Sequence, residues 1–171
     1  MALTTKLRAS LEATQTGPND FGGTFTPLMS ASADLSDGTG ADQADILWID
    51  ERTVATGAND DIDLNGVLTN AFGQSIAMLE IASIFIINAP RSGVANTTNL
   101  TVGVGTNPVV GYLGGTTPTL GPIRPGNWVL MGGGHASGLA PVTAATGDIL
   151  RVANSAGASA TYQIAVVGRS A

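Results

Sequence analysis

The chain has 171 residues, no cysteine and a single histidine, His135. Without cysteine it can form no disulfide, thiolate metal site or cysteine nucleophile, and one histidine excludes zinc sites that need two or more imidazoles. The net charge of −6, with seven basic residues scattered singly, argues against a nucleic-acid partner, because phosphate binding requires a clustered basic surface.

Composition also bears on membranes and export. Only 12% of the residues are charged and 43% are apolar. The longest apolar run, Ile81 to Ala89, is interrupted by Ser83 and Asn88 and is too short to span a bilayer as a helix. The N-terminal stretch MALTTKLRASLEATQ has no apolar core of the kind found in signal peptides. We therefore expect neither membrane association nor a secretory signal.

The acidic residues are concentrated in one part of the chain. Nine of the thirteen lie between Asp34 and Asp63. Such a concentration is typical of a solvated acidic surface, and it is also compatible with a cation site or a surface that faces a basic partner.

The first predicted element is a strand. Between Thr5 and Thr14 apolar residues alternate strictly with polar ones, which is the period of a half-buried strand. Intrinsic propensity favours a helix here, but a helix would distribute the leucines around its whole surface. We therefore predict a strand that ends at the turn residues Gly17-Pro18-Asn19-Asp20.

Further short strands are predicted along the rest of the chain. They cover residues 24–29, 45–54, 79–88, 100–104, 128–131, 148–153 and 158–167. Segment 79–88 is apolar on both faces, which is typical of a central strand covered on both sides. One short helical turn is predicted at 68–72. Two long loops are predicted: 91–99, which is polar and rich in Thr and Asn, and 109–127, which is rich in Gly, Thr and Pro.

Turn signals about every ten residues between short strands predict an all-β fold, an antiparallel sandwich or a jelly-roll-like barrel. No change in composition marks a second domain, so residues 1–171 are predicted to form a single β domain. Residues 1–17 would be an N-terminal strand or arm that could contact a neighbouring subunit. Residues 18–171 would form the β-sandwich core.

The sequence DIDLNG, residues 61–66, fits the first half of a calcium-binding EF-hand loop. The twelfth position of such a loop requires a bidentate Glu, but Phe72 stands there. The flanking segments also have strand rather than helix patterns. We predict instead that Ile62 and Leu64 face the core, that Asp61 and Asp63 face outward, and that Asn65-Gly66 turns the chain.

The remaining motifs predict no chemistry. His135 lies in GHASG, which is not the G-x-S-x-G nucleophile motif, so we predict an exposed histidine in a glycine-rich loop. Gly103-Val104-Gly105 lacks the third glycine of a dinucleotide fingerprint. Trp48 and Trp128 are predicted to be core residues. We expect no enzyme activity, no catalytic or cofactor-binding residues, no cofactor and no metal site.

The chain resembles a group of small β-rich proteins encoded among the structural genes of tailed bacteriophages and prophages. The resemblance extends over nearly the whole chain. It is carried by Lys6 to Thr14 with Gly17 to Gly22, Asp37 to Asp45 before Trp48, Arg52-Thr53, Asp61 to Gly66, Leu68 to Gly73, Pro125-Gly126 and Tyr162 to Arg169.

This resemblance implies a virion component made in the bacterial host cytoplasm. Three roles fit: a capsid decoration or cement protein, a tail-tube or other tail component, and a host-binding fibre or spike. We favour the cement role, in which a jelly-roll-like homotrimer binds the major capsid protein on the capsid surface between capsomers. The N-terminal strand could then reach a neighbour by strand addition, and the low charge suits broad protein contacts.

Overall fold

The computed structural model describes residues 2–18 and 22–171, so the Asn19-Asp20 part of the first predicted turn lies outside the described residues. The described chain forms thirteen strands. They are β1 (Thr5–Glu12), β2 (Gln15–Thr16), β3 (Thr24–Phe25), β4 (Leu28–Leu35), β5 (Ile46–Val54), β6 (Asn59–Asp63), β7 (Glu80–Ile87), β8 (Leu100–Gly103), β9 (Thr119–Ile123), β10 (Trp128–Gly132), β11 (Ala140–Pro141), β12 (Ile149–Asn154) and β13 (Ala160–Arg169).

Two antiparallel sheets form the body of the protein. The five-stranded sheet has the order β10-β7-β13-β5, with β11 also pairing with β7, and the four-stranded sheet has the order β6-β12-β8-β9. Within the described residues there is no helix, and no sheet closes into a barrel. The predicted all-β fold is therefore confirmed, with antiparallel sheets that do not close into a barrel.

One hydrophobic core lies between the two sheets. Ile84 and Ile164 from the five-stranded sheet and Leu100, Leu150 and Val152 from the four-stranded sheet belong to the same buried cluster. Burial alternates along β12 and along β13 from Ala160 to Val166, which places every second side chain of these segments in this core, as expected for two sheets packed face to face. The body is thus a two-layer sandwich.

The central strand β7 is covered unequally on its two faces. Its inner side chains Ile84 and Ile86 are buried, as the apolar pattern predicted. Its outer side chains Phe85 and Ile87 are only partly buried. The prediction of cover on both faces is therefore only partly correct, because little of the chain packs on the outer side of this sheet.

Two local predictions are wrong. Segment 68–72 forms a tight turn rather than a helical one, because the Asn70 side chain accepts hydrogen bonds from the backbone N–H groups of Phe72 and Gln74. The predicted long loop 109–127 contains β9. Pro122 argued against a strand when only the sequence was considered, because proline disfavours a central strand. The structure accommodates it because β9 lies at the edge of its sheet, where proline is tolerated.

An ion pair joins the two sheets. Arg52 on β5 donates to both carboxylate oxygens of Asp60 on β6, at 2.6 and 2.7 Å, and the Tyr162 hydroxyl donates to Asp60 at 2.7 Å. Burial favours the neutral acid, but the hydrogen bonds from Arg52 and Tyr162 outweigh it and lower the pKa of Asp60. The guanidinium of Arg52 also lies 5.8 Å from the ring centre of Trp48.

Asp60→Asn should destabilise the protein by about 2 kcal/mol near neutral pH, because it removes the two short carboxylate contacts of Arg52 and leaves only the longer, more exposed one to Asp50 at 3.3 Å. A carboxyl group whose pKa is lowered by folding stabilises the fold above its unfolded pKa of about 4 and stops doing so as pH falls through its folded pKa. The difference in free energy of unfolding between the two chains should therefore shrink in acid, as measured by urea titration at several pH values.

Asp34→Asn, in an exposed ion pair with Arg8, is the control and should show little difference at any pH. A constant difference would contradict this account.

Candidate interaction surface

The N-terminal part of the described chain is a two-stranded ribbon, residues 5–18 and 22–35, which we call the arm. Strand β1 pairs with β4 from Thr5 opposite Leu35 to Glu12 opposite Leu28. Strands β2 and β3 continue in the same register, with Gln15 opposite Phe25. The predicted N-terminal strand is thus confirmed, but it pairs within the chain, and the arm extends beyond residue 17.

The arm has one apolar and one polar face. In an antiparallel ribbon, directly opposed residues share a face and successive residues alternate. One face carries Leu7, Ala9, Leu11, Ala13, Phe25, Pro27, Met29, Ala31, Ala33 and Leu35, with Thr5 and Gln15 as its polar members, and we call it the apolar face. The other face carries Lys6, Arg8, Ser10, Glu12 and mostly Ser and Thr from the second strand, with Leu28 as its large apolar residue.

The base of the arm is anchored to the body. Leu35 is fully buried in a small second core with Ala44, Ala82 and Val167, and Leu7 packs partly against it. Val167 is an outward-facing residue of β13, so this second core lies on the outer side of the five-stranded sheet. The apolar face of the arm and the outer side of the sheet therefore already pack against each other at the base.

The arm tip, which we define as residues 9–16 and 24–31, is uncovered. Leu11, Phe25 and Met29 on its apolar face are 62%, 64% and 75% exposed. The prediction of a half-buried first strand is wrong for this outer half. An isolated two-stranded ribbon is at best marginally stable in water, so an apolar face of this length is expected to be covered in the working state.

A second apolar surface lies on the outer face of the five-stranded sheet, which we define by Leu47, Ile49, Phe85, Ile87, Trp128 and Leu130. Strand register places Leu130, Phe85, Ala165 and Ile49 in one row across four strands. Trp128 packs edge-on against Phe85, with ring centres 6.0 Å apart. Ile49 is 61% and Trp128 57% exposed, so the prediction that Trp128 is a core residue is wrong, whereas Trp48 is buried as predicted.

Open clefts connect the two surfaces. A cleft of about 500 Å³ lies between β1 and the outer face and is lined by Leu7, Leu47, Trp128 and Leu130, among others. A second cleft of about 540 Å³ contains Ile49 and Ile87. Both are lined by Phe85 and Ala165. The apolar groove therefore runs without a break from beneath the arm to the far edge of the sheet.

The DIDLNG segment has a structural role in this fold. Ile62 and Leu64 are buried, Asp61 is exposed and Asn65-Gly66 lies in a turn, as predicted, although Asp63 is half-buried. Both carboxylate oxygens of Asp61 accept hydrogen bonds from Arg151, at 2.5 and 2.7 Å. The carboxylate of Asp63 instead accepts from the backbone N–H of Asn65 at 3.0 Å.

The acids between Asp34 and Asp63 are dispersed over several elements and bonded to different partners. Asp34 pairs with Arg8, Asp37 accepts from the Leu3 backbone, and Asp45 accepts from Ser170. Across residues 2–18 and 22–171, no three His, Cys, Asp or Glu side chains come close enough to hold a metal ion. The same residues contain no helix long and apolar enough to cross a membrane.

His135 lies in an exposed glycine-rich loop beside the arm, as predicted. Its ring nitrogen Nδ1 accepts from the backbone N–H of Ser137 at 3.0 Å, which is a local turn contact rather than an activated hydroxyl. The loop is held by Arg169, which the sequence did not single out. The buried guanidinium of Arg169 donates to the carbonyls of His135, Ala136 and Gln43 and pairs with Glu80.

The predicted strand 24–29 is divided in the structure between β3 and the start of β4, so sequence reasoning missed most of the strand that pairs with β1. The signal was present, because residues 28–35 repeat the alternation of residues 5–12 with small residues at Ala31 and Ala33. Weak hydrophobicity concealed it. When the two segments pair, the apolar side chains of β1 and β4 lie on the same face of the ribbon and form a continuous apolar surface.

Leu35→Ala should cost about 3 kcal/mol of stability, because Leu35 is fully buried where the arm joins the sheet. Met29→Ala should change it by less than about 0.5 kcal/mol in dilute solution, because Met29 is uncovered. Urea unfolding measures both, and hydrogen exchange should show β1 and β4 amides losing protection in Leu35→Ala. Equal effects of the two substitutions would contradict the described anchoring.

Calcium added to the purified chain in a calorimeter should produce no saturable micromolar binding, since Asp61 is bonded to Arg151 and Asp63 to its own turn. Asp61→Ala should give the same trace as the unaltered chain. Binding that this substitution abolishes would contradict the prediction.

The chain matches no protein-family model, no curated protein and no solved structure.

Proposed function

We propose that this chain is a structural protein of a tailed-phage virion, a decoration or cement protein that stabilises the head by binding between capsomers. Its partners would be the major capsid protein and further copies of itself, arranged as a homotrimer. It would be made in the host cytoplasm and act on the capsid surface.

The uncovered apolar arm tip carries the proposal. A small sandwich with its own core needs no such extension for stability, and the tip adds exposed Leu11, Phe25 and Met29 at a cost in solubility. Proteins retain such surfaces where another protein covers them. A cement protein works by covering seams between neighbouring subunits, which requires contacts that reach beyond its own body.

The outer face of the sheet supports the same class of function. Aromatic and large aliphatic side chains are enriched in the centres of protein–protein interfaces, and this face presents Trp128, Phe85 and Ile49 together. Together with the arm tip, this face gives the molecule two exposed apolar surfaces that can contact other proteins.

Copy number in purified virions tests the cement role against the tail and fibre roles. Quantitative mass spectrometry against the major capsid protein should give a ratio near one if the chain decorates the shell. A far smaller ratio would indicate a tail or fibre component and would contradict the cement role.

Substitution within the arm tests whether the tip contributes to particle binding. Met29→Ser removes an apolar side chain from the apolar face and should weaken retention on particles at least tenfold, which corresponds to about 1.4 kcal/mol. Leu28→Ser is a matched control, because Leu28 is its neighbour and is similarly exposed but lies on the polar face. Co-sedimentation with particles measures both variants. Equal retention of both would show that the tip does not bind the shell.

A further inference from the structure

We propose that the arm tip of one copy docks on the outer face of the five-stranded sheet of a second copy, so that each copy gives one arm and receives one. The occupant of the apolar groove is thus the ribbon of residues 9–16 and 24–31 from a neighbouring chain. A closed dimer or trimer satisfies both surfaces of every copy.

The packing at the base of the arm indicates this occupant. There, Leu35 and Leu7 of the apolar face already pack against Val167 and Ala82 on the outer side of the sheet. The arm tip continues the same apolar face, and the groove continues the same side of the sheet beyond Phe85 and Ala165. Docking in trans repeats a contact that the chain already makes within itself.

The two surfaces match in size. Eight residues of extended strand span about 26 Å, and a two-stranded ribbon is about 10 Å wide. One docked tip would therefore bury roughly 500 Å² over both partners. A reciprocal dimer would bury about 1,000 Å² in one interface, where specific interfaces begin, and a ring trimer about 1,500 Å² over its three contacts. Four strands of the sheet are about 19 Å across at 4.8 Å spacing, which is enough to receive a ribbon.

Charge favours self-docking at this place. The chain carries a net charge of −6, so most surfaces of two copies repel each other. The arm tip carries a single charged residue, Glu12, and the register places it on the polar face, away from the contact. The row of Leu130, Phe85, Ala165 and Ile49 carries no charge. Charged residues lie at the two ends of the groove, Lys6 and Arg8 beneath the arm and Asp50, Glu51 and Arg91 at the far end. Added salt should screen the repulsion and leave the association intact or stronger.

Self-association through the arm deepens the proposed function by naming one partner of the arm. It is measured on the purified chain alone, so it can fail while the virion role stands. Conversely, the chain could associate through its arm without binding any shell, and copy number would report that separately.

Engineered cysteines test the contact directly, because the native chain has none. A chain with Met29→Cys is mixed with a chain carrying Ile49→Cys under mild oxidation, and the mixed disulfide dimer is quantified by mass spectrometry. Val67→Cys replaces Ile49→Cys in the control, since Val67 is 83% exposed on the turn after β6, outside the groove. We expect the Met29–Ile49 pair to form at least ten times faster than the Met29–Val67 pair.

Light scattering over about a hundredfold dilution supplies the second readout. The unaltered chain should have a mass of two or three chains when concentrated, and Met29→Ser or Ile49→Ser should raise the concentration for half-association at least tenfold. Leu28→Ser should not. Because Met29 and Ile49 are exposed, thermal unfolding of the dilute variants should match that of the unaltered chain, which separates lost association from lost folding.

Three results would overturn the proposal. The first is a monomer at every concentration, which would leave the arm for a different protein. The second is an association in which the Met29–Ile49 disulfide forms no faster than the control. The third is efficient disulfide formation within single dilute chains that carry both cysteines, which would show that the arm folds back on its own sheet.

Discussion

The alternation of apolar and polar side chains along the arm is the constraint on which the surface of this molecule depends. A two-stranded ribbon has no second layer of its own, so its apolar face must find cover elsewhere. The body supplies that cover only at the base, where Leu35 is buried beside Val167. Beyond the base the same face continues to Phe25, and its large side chains Leu11, Phe25 and Met29 are exposed. The tip is therefore exposed because the ribbon extends beyond the part of the sheet that packs against its base.

The sandwich provides a rigid platform for that ribbon. The ion pair between Arg52 and Asp60 joins the two sheets, and the buried guanidinium of Arg169 holds the loop beside the arm. One side of the five-stranded sheet is used to build the core, which leaves the other side free for contacts. A single sheet thus serves folding on its inner face and presents Ile49, Phe85 and Trp128 on its outer face. Assembly surfaces of this kind need no catalytic geometry.

Much of this fold could be predicted from the sequence, because burial between two sheets imposes a period of two that is visible in the sequences of β8 and β13. Side-chain periodicity cannot show which strands pair, so the partner of β1 was missed. Nor can it show which face of an all-apolar strand lacks cover, and Trp128 was misplaced for that reason. The candidate surface could not be predicted from the sequence alone. It forms only when residues more than a hundred positions apart, such as Leu7 and Val167, come together on one side of a sheet.

Hydrogen exchange followed by mass spectrometry, on the same chain when dilute and when assembled on itself or on particles, tests the central claim that the arm tip works by being covered. Amides in residues 9–16 and 24–31 should exchange rapidly in the dilute chain and become protected on assembly, together with the edges of the groove on β5 and β10. Amides of the central strands β7 and β13 should be slow in every state and serve as the internal reference. An arm tip that exchanges equally fast in the dilute chain, in the concentrated chain and on particles would contradict the account.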